Sequence, residues 1–379
     1  MRIMGWVLAL GGAMLLMSGG ALLAQDRRLP EVPTKDEQTA SAKRVVLEGV
    51  DHYRVNSPLF EGVRVILAYR GEAYSPAYVA GVSGAAFRLA GPCPCAPTCE
   101  AKQWPADLIQ LFGYRAELVG LGGPEEDPKA KLPQLLARVR EEIRAGRPVL
   151  VWNAFGTTEF DVVAGFDEDS QELIGRGFRF RGGDYDRAPA AGVAERHIAP
   201  ALGAILAGEK VKDFDARGAE LAALRDAVAH AHGAASSLPS MPSGLRCYDA
   251  WIESYERRGA ITRAQSRDEK EDLGWVKMLP PDDSYALLIY SSTHEAASAF
   301  LREIAPKYPE GKVYLELAAG HFAGEAAALR AVQAALGDRS KEATEEQCVR
   351  AASALRDARA NYALGIEELA RALGKIATG

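Results

Sequence analysis

The stretch from Asn56 to Gly71 constrains this chain most. Ser57 can cap a first turn, and Pro58 suits the first helical position, where its missing N–H costs nothing. Leu59, Phe60, Val63, Ile66 and Leu67 then make an apolar face at helical spacing. Gly71 is placed to end the helix in the left-handed conformation. A helix this apolar must be buried against something. Pro148–Trp152, Phe160–Phe166 and Gln171–Gly175 read as strands, and Asp167–Ser170 as the turn between the last two. The fold class that follows is α+β, a helix packed on a small antiparallel sheet.

The chain has 379 residues, 48% of them hydrophobic, enough for two domains of common size. Its formal charge is -6 and no basic run occurs, which argues against a nucleic-acid partner. Arg2 is followed by an apolar run from Ile3 to Ala24. That run reads as a secretory signal cleaved after Ala24, or else as an uncleaved membrane anchor, since roughly 20 apolar residues span a bilayer. Residues 25–43 are polar, carry Pro30 and Pro33, and read as a tether. The expected location is therefore outside the cytoplasm, periplasmic or extracellular, with a membrane tether as the alternative.

From about Ala190 the chain turns alanine-rich, and residues 191–379 read as a helical region following a first domain at 44–190. Helices are expected at Ala219–His232, Leu245–Arg258 and Ser291–Tyr308, the last with Ser292 and Glu295 at capping-box spacing. A final helix begins at Thr344, with Gln347 three residues on. His294 and His321 are expected at helix starts, and His230 and His232 on different faces of one helix, where they cannot chelate together.

Cys93-Pro94-Cys95-Ala96-Pro97-Thr98-Cys99 must be a loop, because its prolines forbid regular structure. Export favours disulfide pairing, Cys95 with Cys99 or one of the loop cysteines with Cys247. The other readings are redox-active thiols or a soft-metal site for zinc or copper(I). No other cofactor is expected.

Four segments carry a resemblance: Asn56–Gly71, Ser83-Gly84-Ala85-Ala86-Phe87, Pro94–Thr98 and Phe160–Asp167. Together they resemble the papain-like fold of the bacteriocin-processing (double-glycine) peptidases. The resemblance is closer still to the domain at the N-terminus of butirosin biosynthesis protein H and its exported relatives. Gly244-Leu245-Arg246-Cys247-Tyr248-Asp249-Ala250-Trp251 is similar to the C-terminal half of those relatives. The resemblance implies where a thiol peptidase would keep its chemistry. The nucleophile falls on Pro58, the base on Glu159, the orienting acid near Gly175 and the oxyanion residue on His52. A thiolate–imidazolium pair cannot be built from these residues.

The expected function is thus that of an exported papain-fold protein without the peptidase triad. It would bind a peptide, an acyl chain or a small molecule in the former substrate cleft. Tyr53, Asn56, Pro58, Trp104, Trp152 and Asp161 are the candidate lining residues. One alternative is a hydrolase or acyltransferase with a relocated nucleophile, Ser57 with His52 or Glu159, or a thiol of Cys93, Cys95 or Cys99. Against it, Ser57 also reads as a simple N-cap and His52 as an ordinary surface or core residue. A third reading is a structural or interaction protein that works through its C-terminal helices.

Overall fold

A computed structural model describes residues 43–55, 58–91, 103–122, 126–156, 159–177, 183–195, 202–234, 242–260, 283–338 and 343–378. The signal or anchor, the tether and the cysteine loop expected above lie outside these residues. Among the described residues no helix is long and apolar enough to cross a membrane. Contacts divide the chain into two compact units: Met1–Ser75 with Trp104–Phe214, and Pro76–Gln103 with Asp215–Gly379.

The first unit opens with β1 (Arg44–Val46) and α1 (Pro58–Tyr69). The helix stops where the sequence says it should. Gly71 has φ 84°, Glu72 N–H donates to Leu67 O at 2.9 Å, and Gly71 N–H donates to Ala68 O at 3.0 Å. These two bonds make a Schellman ending, which satisfies carbonyls the helix would otherwise leave open. The chain passes through α2 (Pro76–Val82) of the second unit and returns as α3 (Pro105–Leu111), β2 (Tyr114–Val119) and α4 (Pro128–Arg144). It continues through β3 (Val149–Trp152), β4 (Phe160–Asp167), β5 (Glu172–Arg176), β6 (Asp186–Pro189), a single helical turn α5 (Gly192–Glu195) and β7 (Ala204–Lys210).

Seven strands of the described residues form one antiparallel sheet in the order β2-β7-β3-β4-β5-β6, with β1 paired to β4. β4 is its spine. β5 runs along one edge, with Val163 opposite Gly175 and Asp167 opposite Glu172. On the other edge β3 pairs with Phe160–Val163 and β1 with Gly165–Asp167, end to end. Every residue from Phe160 to Phe166 is buried, so both faces of β4 are covered. That explains a nearly continuous apolar run in place of alternation. α1 and α4 both pack on β3 and β4. α1 comes close enough that a Cβ on Gly62 would lie 2.6 Å from Leu150 Cδ2.

Two expectations are corrected here. The boundary near residue 190 is displaced, because β7 belongs to the sheet and Pro76–Gln103 belongs to the second unit. Ala204-Ile205-Leu206-Ala207 is buried between β2 and β3, and its alanines and the turn at Gly203 (φ 44°) disguise it as part of the helical region. The helix expected from Ser291 begins at Ser284, so Ser292 and Glu295 sit inside it and cap nothing.

The second unit contains α2, α6 (Ala216–Ala231), α7 (Leu245–Ala260), α8 (Ser284–Ile304), a 3-10 turn (Ala305–Lys307), α9 (Lys312–Leu336) and α10 (Glu345–Thr378). The capping box that starts α10 is present: Gln347 N–H donates to Thr344 Oγ1 at 3.2 Å and Thr344 N–H to Gln347 Oε1 at 2.8 Å. Glu220 of α6, 1% exposed, accepts from Tyr78 of α2 (2.7 Å), Lys307 (2.6 Å) and Tyr308 (2.7 Å). His294, expected at a helix start, is wholly buried inside α8. Among these helices lies a non-helical strap, residues 87–91, also buried.

Candidate functional site

The residues expected to carry chemistry in the first unit converge on the start of α1 and on the β3–β4 turn. Ser57 and Asn56 lie outside the described residues, and Pro58 opens α1 as its first residue. The segment before the helix is fixed by two charged residues that the apolar pattern of α1 does not predict. Arg64, 2% exposed, donates through Nε to Glu61 Oε1 at 2.6 Å, through NH1 to Asp51 Oδ2 at 2.8 Å and through NH2 to His52 O at 2.9 Å. Glu61 Oε1 also accepts Arg54 N–H at 2.9 Å. Burial raises the Glu61 pKa against the pull of Arg64, while at Asp51 burial is outweighed by the hydrogen bond and charge of Arg64 together with the His52 N–H and Arg54, and the pKa is lowered. The outcome for His52 is specific. Its backbone is locked, and its ring, 46% exposed, stands 3.2 Å from the Asp51 carboxylate.

Glu159 immediately precedes β4, and Asp161 is the second residue of that strand. Both are 1% exposed. Asp161 Oδ2 accepts the N–H of Phe155 at 2.7 Å and of Gly156 at 3.1 Å, which ties down the turn after β3. Asn153 enters that turn at φ 62°, a left-handed conformation that asparagine tolerates, and its N–H donates to Glu159 O at 2.9 Å. Tyr53, 1% exposed, donates to Phe160 O at 2.8 Å. Burial, then the carboxyls of Asp161, Glu61 and Glu159, push its hydroxyl pKa well above the usual value, so it stays a donor.

Of the six residues expected to line a cleft, Tyr53, Trp152 and Asp161 are brought together but are at most 2% exposed. Trp152 packs edge-on against Phe160 at 5.0 Å between ring centroids. These three are therefore core, because β4 is covered on both faces. Trp104 is half-buried and precedes α3. Asn56 and the Pro58 side chain lie outside the described residues, as do Cys93, Cys95 and Cys99, and with them any disulfide or metal they hold. Cys247 and Cys348 are buried in the second unit. Among the described residues no group of three or more His, Cys, Asp or Glu is placed to hold a metal ion.

Gly175, near which the orienting acid is expected, is closed by backbone. A Cβ on Gly175 would lie 2.1 Å from Val162 O, 2.9 Å from Val163 Cα and 3.0 Å from Ala164 N. Chemically, the described residues here offer buried carboxylates held by hydrogen bonds, a neutral phenol and a solvent-facing imidazole. The Glu61–Arg64–Asp51 network escapes a reading by hydrophobic period. Its only sequence signal is an acid and a base three residues apart on an otherwise apolar helix. Compared with known proteins, the chain matches no family model and no curated sequence.

Proposed function

We propose that this chain is an exported papain-like protein without peptidase chemistry, which binds a peptide, an acyl chain or a small molecule near the start of α1. An apolar helix opening on Pro58 and lying on an antiparallel sheet supports the papain-like part of the reading. The observation that carries the loss of chemistry is Gly175. Backbone atoms of β4 occupy the space a side chain there would need, so no third triad member can stand at that position. Pro58 supplies no nucleophile, and Glu159, buried just before β4, supplies no imidazole. His52 faces solvent beside Asp51.

Labelling of the purified chain tests this. It is treated with a serine-reactive fluorophosphonate and, separately, with iodoacetamide, and the adducts are mapped by mass spectrometry. The proposal expects no fluorophosphonate adduct and no hydrolysis of a panel of peptide and thioester substrates. Stoichiometric modification of Ser57 that is lost in His52→Ala would overturn it in favour of a serine-type enzyme. A cysteine adduct that abolishes turnover would do the same for a thiol enzyme. Native mass spectrometry of the same preparation then identifies a retained ligand by its mass.

A further inference from the structure

The strap at residues 87–91 is the most unusual element of the second unit. It is neither helix nor paired strand along its length, yet it is buried, and its backbone polar groups are met largely by side chains. Tyr362 of α10 donates to Phe87 O at 3.1 Å. Tyr290 of α8 accepts Ala90 N–H at 3.0 Å and donates to Ala90 O at 2.8 Å. Gly91 N–H donates to Pro242 O at 2.9 Å. Leu89 is held by His230 of α6, whose Nε2 lies 3.0 Å from Leu89 N and 2.9 Å from Leu89 O. A buried backbone of this kind is only as secure as its partners.

We propose that the strap is an acid-released latch: protonation of His230 withdraws the acceptor from the Leu89 N–H and frees residues 87–91 from the helices that hold them. With Nε2 unprotonated, the imidazole accepts the Leu89 N–H. A proton on Nε2 turns that contact into donor against donor. Leu89 O, 2.9 Å from Nε2 and already accepting Gly244 N–H at 2.8 Å, can take the new proton on its second lone pair, but the buried Leu89 N–H is still left without its acceptor. Of the charges around the ring, Arg88 and His294 oppose a second proton and Asp226 favours it. Arg88 of the strap faces it, itself paired with Asp226 of α6 at 2.8 Å. His294 of α8 faces it as well, with Glu325 of α9 2.7 Å behind and Tyr248 of α7 donating to that carboxylate. Tyr362 of α10 adds no positive charge. Burial, then Arg88, brings the His230 pKa down to about 4, against 6.5 when exposed.

The sign follows. A cationic group whose pKa is depressed by folding binds its proton more tightly when the strap is open. The closed state is therefore fully favoured above pH about 6.5 and loses ground as pH falls toward 4. Between pH 7.5 and pH 5 the open-to-closed ratio should rise about thirty-fold.

Hydrogen exchange on the full chain reads this. After correction for the intrinsic pH dependence, peptides covering residues 86–91 should exchange about thirty-fold faster at pH 5 than at pH 7.5, while peptides from the middle of α9 stay protected. The gain should follow a slope of close to one proton per pH unit, and it should vanish in His230→Gln, whose amide oxygen accepts the Leu89 N–H without titrating. Equal strap protection at both pH values, loss of α9 protection in step with the strap, or a gain that persists in His230→Gln would each overturn the latch. Should His230→Gln not fold, the slope in the wild-type chain decides alone: near one supports the latch and near zero removes it.

Discussion

Gly175→Ala tests whether the backbone of β4 closes position 175 to any side chain. The added methyl would stand 2.1 Å from Val162 O, where ordinary contact begins near 3.4 Å. The obstacles are all backbone of β4, so no side chain can swing aside. β5 must move away from β4 by about 1 Å at this point, because packed interiors have no slack to absorb the overlap. That movement breaks the pairing of Val163 with Gly175. Two lost ladder hydrogen bonds cost about 1 kcal/mol each, and the overpacking that remains costs about 1–3 kcal/mol. The sum is roughly 3–5 kcal/mol, a large part of a typical domain's 5–15. With two compact units, a single unfolding free energy is poorly defined, so hydrogen exchange resolved by peptide is the suitable assay. Protection of β4 and β5 should fall at least 100-fold while α9, as internal reference, is unchanged. A loss below about fivefold, or about 1 kcal/mol, would mean the sheet can admit a side chain at position 175. The steric closure of this position by β4 backbone would then be refuted, and the absence of an acid would rest on the glycine itself.

Three further changes have calculable outcomes. Glu220→Ala removes the acceptor shared by Tyr78, Lys307 and Tyr308, so α2 and α6 should lose about 3 kcal/mol of protection by hydrogen exchange. Asp161→Ala strips the acceptor from the Phe155 and Gly156 N–H groups. It should cost about 2 kcal/mol, read as faster exchange of residues 153–156, and Asp161→Asn should cost less because its amide oxygen still accepts. Thr344→Ala removes the cap of α10 and should cost about 1 kcal/mol, confined to exchange in the first turn of that helix.

The parts of the fold that were legible in the sequence are those fixed by local chemistry. α1 announces itself by proline, apolar period and glycine, and α10 by Thr344 and Gln347. β3, β4 and β5 stand out as β-branched or aromatic runs around an acidic turn. What stayed hidden is set by distant partners. β2 is an edge strand with Arg115 and Glu117 exposed, so it lacks a continuous apolar signal. β7 is masked by its alanines. α9 carries Gly320 and Gly324, which lower its helical propensity and conceal a well-packed helix. At the candidate site, Glu159 and Asp161 could be placed at the start of β4, but not the burial that comes from covering both faces of the sheet. The role of His230 was out of reach for a different reason. Its partner, Leu89, is 141 positions away, and no spacing rule links them.

Sequence separation has a further consequence, for the order in which the chain can mature. The strap leaves the ribosome early, but the tyrosine that accepts responsibility for Phe87 O follows 275 residues later. At about 5–20 residues per second, that interval is about 15–55 s. Over the same interval the strands of the first unit are complete once Lys210 has emerged, long before α10 exists. The strap's partners thus arrive in stages, His230 141 residues after Leu89, Tyr290 200 after Ala90 and Tyr362 last.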